Sequence, residues 1–167
     1  TSWFVITSAS NTRLVRAIAA QQSLEIRSPK ATRPWQHVLE SLSAYLLLGQ
    51  KLIEGDKNFD GAWNFGPERS GNRTVADVLN TLQTHWPEMQ WHQTHARQPH
   101  EANLLYLDCS KANGQLGWQP VWNISTTLEK TADWYRTFMD SETMISMQQL
   151  AQYVEAAQNA QVGWVSA

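Results

Sequence analysis

The stretch 24–38, LEIRSPKATRPWQHV, constrains this chain most, because it joins a short apolar segment to a long apolar helix through a basic loop. Its prolines restrict the backbone, which lowers the entropy that the loop loses when it grips a ligand. The loop carries four side chains that are, or can become, cationic. The pattern therefore predicts an exposed anion-binding loop, with its charges on Arg27, Lys30, Arg33 and His37.

The composition indicates that the anion is a small molecule and not a polymer. The chain has 167 residues, of which 42% are apolar and 17% charged, so it can bury the core of one ordinary domain and is not a disordered tail. Its net charge is −2 and its isoelectric point is near 6.2, which argues against a nucleic-acid-binding surface. Affinity for an anion must come from a local cluster such as this loop.

The cysteine content and the apolar runs predict a cytoplasmic protein. The single cysteine, Cys109, cannot form an internal disulfide, and no run of about 20 apolar residues could span a membrane. The sequence begins TSWFVITSAS, with no initiator methionine, basic leader or clear cleavage signature. We therefore expect a fragment of a longer chain.

Apolar spacing and turn residues predict a mixture of helices and short strands. The long helix after the loop is apolar over more than half its circumference, so we expect it to be largely buried. Glu40 falls in its first turn and is interpreted as a charge that favours the positive end of the helix dipole. Helices are predicted at 11–21, 38–54, 74–86, 126–138 and 144–160, strands at 24–26, 63–65, 89–93 and 104–107, and a short helix from Ser110 to Gly117.

Two other groups of residues suggest binding sites. Nine tryptophans could offer a surface for carbohydrate, although most are expected to be core or interface anchors, with Trp35 in the basic loop as the best exception. Three histidines and the cysteine lack the spacing of a zinc site, so no metal is predicted. That group is His92, His95, His100 and Cys109.

The sequence lacks the motifs of nucleotide-dependent catalysis. It has no glycine-rich dinucleotide turn and no phosphate-binding Gly-Lys-Ser/Thr, and none of its four tyrosines is followed by lysine at the fourth position. It also has no recognisable arrangement of serine, histidine and aspartate. A complete catalytic apparatus is therefore not predicted.

Four stretches carry a family resemblance: RSPKATRPWQHVLE at 27–40, GAWNFGP at 61–67, PHEANLLYLDCSKA at 99–112 and QLGWQP at 115–120. They resemble the C-terminal half of the CDP-glucose 4,6-dehydratase family, NAD-dependent extended short-chain dehydrogenase/reductases that act on sugar nucleotides. The resemblance runs in order over about 13–138. It implies an α/β (mixed α+β) fold, the C-terminal substrate-binding portion of such an enzyme, lacking most of the Rossmann sheet.

The resemblance also implies a chemistry. The parent reaction oxidises C4 of the glucose with NAD, eliminates water across C5 and C6 and returns the hydride to C6, in the lipopolysaccharide O-antigen pathway. In the family, NAD and the catalytic tyrosine and lysine belong to the N-terminal Rossmann domain. We therefore expect NAD in the complete enzyme and no cofactor in this chain alone, with a nucleotide-diphosphate sugar as the ligand.

The resemblance assigns roles to individual residues. Arg33 matches the arginine that contacts the substrate diphosphate, which suits the planar fork of a guanidinium. The loop 97–101 matches a second nucleotide-contacting segment, but Gln98 stands where the superfamily often has arginine, so Arg97 or His100 would supply the charge. Asp108, Ser110 and Lys111 match a structural cap. The predicted substrate-binding set is Arg27, Lys30, Arg33, His37, Arg97, His100 and Glu101.

We expect three segments: a poorly matching segment at 1–12, a nucleotide-sugar-binding domain at 13–140 and a helical tail at 141–167. The chain is expected to be the substrate-binding part of a sugar-nucleotide 4,6-dehydratase, inactive alone, and the sequence leaves open whether it is itself an enzyme. A homodimer is compatible with apolar faces that a missing half would cover. Two alternatives stay open, a non-enzymatic module that binds carbohydrate or protein and a fragment without function.

Overall fold

The computed structural model describes residues 9–94 and 104–165, the first four of these by their backbone alone. Within these ranges the chain forms five α-helices and four short strands. The helices are α1 Ala9–Ala19, α2 Val38–Ile53, α3 Val75–His85, α4 Ile124–Ser141 and α5 Ser146–Asn159. The strands are β1 Leu24–Ile26, β2 Thr32–Pro34, β3 Asn72–Thr74 and β4 Trp91–Gln93. Single turns of 3-10 helix lie at Lys57–Phe59 and Arg69–Gly71. A short π-helical turn, called the wide turn below, spans Ala112–Leu116.

The strands pair into two small sheets. β1 and β4 are parallel, with Leu24 opposite Trp91, and β2 and β3 are antiparallel, with Arg33 opposite Arg73. A single parallel bridge also joins Thr32 to Leu104. The predicted mixture of α and β structure is confirmed. Two-stranded sheets are marginal by themselves, so the helices packed around them must supply most of the stability.

Two apolar clusters form the core of the described chain. The first packs α1, β1, α3 and α4 together, and burial of each large apolar side chain in it contributes about 1.5–3 kcal/mol. The second is aromatic and lies between α2, the segment at 63–65 and the segment at 112–118. The first contains Leu14, Leu24, Val78, Leu79, Leu82, Met89, Leu128 and Ala132. The second contains Ala44, Trp63, Phe65, Ala112, Leu116 and Trp118.

Local signals located most helix ends correctly. Thr74 and Asp77 form the expected reciprocal capping box at the start of α3. Gly55 follows α2 with a φ of 80°, and Gly117 ends the wide turn with a φ of 72°, conformations that favour glycine. The tail helix predicted at 144–160 is α5. These helices are confirmed to within a few residues.

Two predicted strands do not form. At 104–107 only Leu104 makes an isolated bridge, to Thr32. No strand forms at 63–65, because Trp63 and Phe65 bury their rings in the aromatic cluster and no described strand pairs with them. The helix predicted to open at Thr126 begins at Ile124, because the Asn123 side chain accepts a hydrogen bond from the Thr126 amide and caps α4 earlier. At 63–65 and at the start of α4, a packing or capping partner outweighed the local pattern.

The interpretation of α2 was also wrong. Only Glu40, Ser41, Ser43 and Ala44 are buried along it, whereas Leu46 is 76% exposed. Glu40 is fully buried, so it does not act as a surface charge at the helix end. The helix thus buries its polar first turns and exposes leucines. No helix in the described chain is both long and apolar enough to cross a membrane.

Candidate functional site

The basic loop at 24–38 is fixed by its contacts with α3. The amides of Val75 and Ala76 donate to the carbonyls of Ala31 and Pro29 at 3.0 and 2.9 Å. Pro29 itself is buried. The first amides of α3 are thereby satisfied inside the fold. These hydrogen bonds hold the backbone of the loop in one conformation.

Arg33 lies on β2, directly opposite Arg73 on β3. Arg33 is only 4% exposed and donates from Nη1 to the Thr32 carbonyl at 2.9 Å. Arg73 is exposed and donates from Nε to the Ser70 carbonyl at 3.0 Å. Directly opposed residues of an antiparallel pair share one face of the sheet. The pairing therefore sets the two arginines beside each other on one face of the sheet, one buried and one exposed, and Arg73 is a neighbour of Arg33 that sequence reasoning missed.

The remaining cations of the loop differ in their surroundings. Arg27 follows β1 and Lys30 lies in the turn before β2, and both side chains are exposed. Arg33 is buried, so the prediction of a uniformly exposed loop was wrong. Arg33 is buried because the second half of the loop forms β2 and packs against β3. The exposed charges of Arg27 and Lys30 therefore precede the buried charge of Arg33 along the chain.

His37 does not supply positive charge near neutral pH. It is 6% exposed, and its Nδ1 accepts a 3.3 Å hydrogen bond from the Leu39 amide, which makes it the N-cap of α2. Its ring also packs edge-on against Trp122 at 4.8 Å. Burial lowers the pKa of His37 to about 4. The expectation that His37 adds to the cationic cluster is therefore corrected, because it is a neutral cap.

Behind the loop lies a buried carboxylate. Glu40 accepts hydrogen bonds from the amides of Val121 and Trp122 at 3.0 and 2.7 Å and from the Tyr153 hydroxyl at 2.7 Å. Burial raises the pKa of Glu40, against the opposing effect of these hydrogen bonds. Three donors from two distant segments converge on one side chain, so Glu40 ties α2 to the segment before α4 and to α5.

Other predicted residues are structural or lie outside the description. Arg97, His100 and Glu101, together with His95, fall outside the described residues. The Asp108 carboxylate accepts from the Ser110 amide at 2.9 Å, so the predicted cap is formed by Asp108. Lys111 lies over the Trp63 ring at 3.9 Å. Among the described residues no group of three histidine, cysteine or carboxylate side chains could hold a metal ion.

Most of the described tryptophans are packing residues. Trp63, Trp86, Trp118 and Trp122 are buried, and the other four described are half-buried. Trp35 packs beside the first core cluster and donates from Nε1 to the Arg73 carbonyl at 2.9 Å. It therefore holds β2 against β3 as a packing anchor, although the sequence suggests it as the best candidate for a carbohydrate surface.

Three larger cavities surround these elements. One of about 420 Å³ lies between α3 and α4, with Arg73 and Asp77 at its edge. Another of about 240 Å³ lies beside His37, between α2, α4 and the start of α5. A third of about 460 Å³ is apolar and runs between α2 and α5. Arg33, Arg27 and Lys30 line none of the three cavities; Arg27 and Lys30 lie on the open surface, whereas Arg33 is buried.

Comparison with known proteins gives this geometry a family context. A CDP-glucose 4,6-dehydratase from Salmonella typhimurium is 38% identical over 146 residues, which are 86% of this chain and 41% of that enzyme. The predicted resemblance is confirmed. The chain spans about two-fifths of the length of CDP-glucose 4,6-dehydratase. No family model matches the chain.

Solved structures give the fold. The UDP-glucuronic acid 4-epimerase of Bacillus cereus, solved with UDP-glucuronic acid and NAD, has a TM-score of 0.63 at 19% identity, over 78% of this chain and 40% of its own. A UDP-glucose 4-epimerase from Stenotrophomonas maltophila has a TM-score of 0.63 at 16% identity, over 81% and 41%. The dTDP-glucose 4,6-dehydratase of Bacillus anthracis has a TM-score of 0.57 at 16% identity, over 77% and 39%. The fold is that of the C-terminal portion of extended short-chain dehydrogenase/reductases.

The starts of α2 and α3 differ from the turn that holds a dinucleotide such as NAD, with which the Bacillus cereus epimerase was solved. A dinucleotide needs a glycine-rich turn that leads from a strand into a helix, so that backbone amides meet the pyrophosphate. Within the described ranges β3 enters α3 directly at the Thr74 cap, and the α2 amides begin behind the His37 cap. Neither helix start offers that turn.

Proposed function

We propose that the chain binds a nucleotide-diphosphate sugar, as the substrate-binding part of a CDP-glucose 4,6-dehydratase. The observation that carries the proposal is the 38% identity over 86% of the chain, within which Arg33 lies on an ordered strand opposite Arg73. We place the ligand on the domain at 13–140, with 141–167 as a helical tail, and the protein in the cytoplasm. CDP-glucose is the substrate that the relative's name suggests.

The physical argument concerns the diphosphate. Hydrogen bonds from guanidinium groups to phosphate oxygens are charge-assisted and roughly twice as strong as neutral ones. Arg33 and Arg73 share a face of one sheet, and the turn that carries Lys30 is ordered by its contacts with α3. A ligand that meets ordered groups loses less conformational entropy on binding. A small anion with two phosphates suits this arrangement better than a polymer.

We further propose that the isolated chain binds this ligand without converting it. The parent reaction needs NAD, and these residues lack the dinucleotide turn and the tyrosine followed by lysine. Incubation of the pure chain with CDP-glucose and NAD should leave the sugar nucleotide unchanged by mass spectrometry. Formation of the 4-keto-6-deoxy sugar would contradict the proposal.

Isothermal calorimetry with CDP-glucose, CDP and glucose tests the binding proposal. We expect CDP-glucose and CDP to bind and glucose not to bind, because the diphosphate supplies the main contacts. Arg27→Ala and Lys30→Ala should weaken binding of CDP, whereas Lys57→Ala, which removes an exposed lysine from a separate turn, should not. Binding of glucose alone would instead favour a carbohydrate-binding module, and no binding of any of the three would support a fragment without this function.

A further inference from the structure

The cavity of about 240 Å³ beside His37 combines apolar walls with buried polar side chains. We call it the His37 cavity. Its walls are mostly apolar, but three polar residues also line it: His37 on α2, Thr131 on α4 and Gln149 on α5. They are only 6%, 7% and 4% exposed. Small-molecule sites typically have this composition, an apolar lining with a few fixed polar groups.

Gln149 brings an acceptor to this cavity. Its Nε2 donates to the Lys130 carbonyl at 2.7 Å, which fixes the side chain and joins α5 to α4. Within the described ranges, no protein group donates to Oε1 of Gln149, and this oxygen is not among the atoms that are sealed off without a partner. A buried amide oxygen without a donor is costly. Oε1 therefore suits a ligand that carries an N–H group.

His37 brings a donor. Its Nδ1 accepts from the Leu39 amide and so carries no proton, which places the proton of the neutral ring on Nε2. No group in the described part of the chain accepts a hydrogen bond from Nε2. The ring packs edge-on against Trp122, with 4.8 Å between centroids, and this contact fixes its orientation. The Nε2–H group therefore suits a carbonyl oxygen of a ligand.

The remaining polar side chains of the cavity wall are already engaged. The Thr131 hydroxyl donates to the Thr127 carbonyl at 2.7 Å. Oγ of Ser146 accepts from Nε1 of Trp134 at 2.9 Å, and this bond holds the indole against the first turn of α5. Of the three buried polar residues, Gln149 thus keeps one acceptor free and His37 keeps one donor free.

The aromatic walls favour a flat ligand. Trp134 and Tyr135 both line the cavity, with ring planes 78° apart and centroids separated by 5.0 Å. Aromatic faces pack well against other flat rings. A sugar ring carries hydroxyls around its whole edge, and most of them would lose their hydrogen bonds to water against these walls. A flat ring with one donor and one acceptor matches the two free groups.

We propose that the His37 cavity binds a small planar heterocycle of the cyclic amide class, with an N–H and a C=O on its ring. The N–H would donate to Oε1 of Gln149, and the carbonyl oxygen would accept from Nε2 of His37. The ring would pack against Trp134 and Tyr135. Neither Arg33 nor Arg73 lines this cavity, so the site is separate from the proposed diphosphate site.

Titration of the pure chain with four ring compounds, followed by calorimetry, tests the ligand class. In 2-pyridone and 4-pyridone the N–H and the C=O lie side by side or across a flat ring, 2-piperidone has the amide in a puckered ring, and pyridine lacks the N–H. We expect at least one pyridone to bind with a dissociation constant on the order of 1 mM, as suits so small a ligand. Binding of 2-piperidone and pyridine should be roughly tenfold weaker or absent.

Nuclear magnetic resonance locates the bound ring in the unaltered chain. The indole N–H signal of Trp134, identified by its loss in Trp134→Phe, should shift when the pyridone is added. The indole signal of Trp63, which lies in the aromatic core cluster, should not shift. This measurement needs no variant of the cavity itself.

Two variants test the walls. Gln149→Met removes the free acceptor at similar size and should weaken pyridone binding by roughly two- to tenfold. Gln148→Met is the matched control, because Gln148 is the exposed neighbour on the same helix. Val38→Phe adds a ring to the cavity wall and should abolish binding. Circular dichroism of each variant verifies that it folds, and the parent titration tests the proposal by itself if a variant does not.

Several results would overturn the proposal. These are an unshifted Trp134 signal with both pyridones, 2-piperidone binding as tightly as the better pyridone, or pyridone binding that survives both Gln149→Met and Val38→Phe. Displacement of the pyridone by CDP would also contradict it, because the cavity would then belong to the nucleotide site. A chain that binds pyridone but not CDP would retain this site and lose the proposed function, so the two proposals fail separately.

Discussion

The Tyr153 hydroxyl donates a 2.7 Å hydrogen bond to Oε2 of Glu40, which joins α5 to the first turn of α2. The same hydroxyl lies 3.0 Å from Oγ of Ser43, and that serine accepts from Nε1 of Trp118 at 3.1 Å. All four side chains are buried or nearly so. Polar groups that satisfy one another in this way hold elements in a single arrangement. The C-terminal helix is thus attached to α2 through a buried polar network.

Tyr153→Phe should lower the free energy of unfolding by about 1–2 kcal/mol, because a buried carboxylate loses one of its donors while the ring stays packed. Urea denaturation followed by circular dichroism measures this change. Tyr106→Phe is the control, since Tyr106 is 52% exposed and lies outside the network. Equal effects of the two substitutions would show that the hydroxyl of Tyr153 contributes nothing specific.

His37 should make the fold more stable as the pH rises from about 4 to 6.5. Its folded-state pKa is lowered from 6.5 to about 4, so in this interval the unfolded chain binds a proton that the folded chain does not. The free energy of unfolding then increases with pH. Glu40 has the opposite sign, because its raised folded-state pKa means that stability is lost as the pH rises above its usual value of 4.5.

His37→Asn separates the two contributions. Asparagine keeps an acceptor at the N-cap and does not titrate, so the rise in stability between pH 4 and 6.5 should disappear or reverse, since Glu40 still titrates. Urea denaturation across this interval, for the parent and the variant, gives the difference. A variant whose stability rises with pH as steeply as that of the parent would assign the dependence to another group.

Arg73→Ala should weaken binding of CDP by about tenfold, the effect of losing one charge-assisted hydrogen bond. Because Arg73 is exposed, the free energy of unfolding should change little. Calorimetry with CDP measures the affinity, and Arg69→Ala is the control because it removes another exposed arginine from the turn just before β3. If both variants weaken binding equally, the effect is one of general charge, and the pairing with Arg33 has no special role.

Local signals explain why the helices could be predicted and their partners could not. The capping box of Thr74 and Asp77 and the glycine at 117 act within a few residues, so the chain itself reveals them. The partners of Glu40 lie 81 to 113 residues away. No spacing rule reaches that far, so the sequence indicated only that Glu40 is a charge at the positive end of the helix dipole.

The residues of the candidate site differ in the same way, since some are indicated by nearby sequence and others depend on distant contacts. Arg33 could be found from its own stretch of sequence, because the surrounding pattern resembles the family. Arg73 becomes its neighbour only when β2 pairs with β3. The prolines indicated an ordered loop, but its burial depends on carbonyls that meet α3. The sequence signal that could have found Arg73 is its position immediately before the capping box of α3.

Gly71 should be intolerant of a side chain. A Cβ there would lie 2.5 Å from Cβ and 2.8 Å from Cγ of Pro67, and 3.1 Å from the Trp35 carbonyl oxygen. A proline ring cannot turn aside, so Gly71→Ala must shift the backbone that leads into β3, at a cost of about 1–3 kcal/mol. Because the Gly71 carbonyl also accepts from the Trp35 amide at 3.1 Å, that shift reaches the strand that carries Arg33.

Gly114→Ala is the matched control for Gly71→Ala. No atom lies within 4 Å of its Cβ position and its φ is not positive, so alanine there should be neutral or stabilising by a few tenths of a kcal/mol. Thermal unfolding of both variants, with calorimetry against CDP, tests the pair. We expect Gly71→Ala to lose stability and affinity together. Full stability in Gly71→Ala would mean that Pro67 and β3 can move apart without cost, and the close contact would then not position the two arginines.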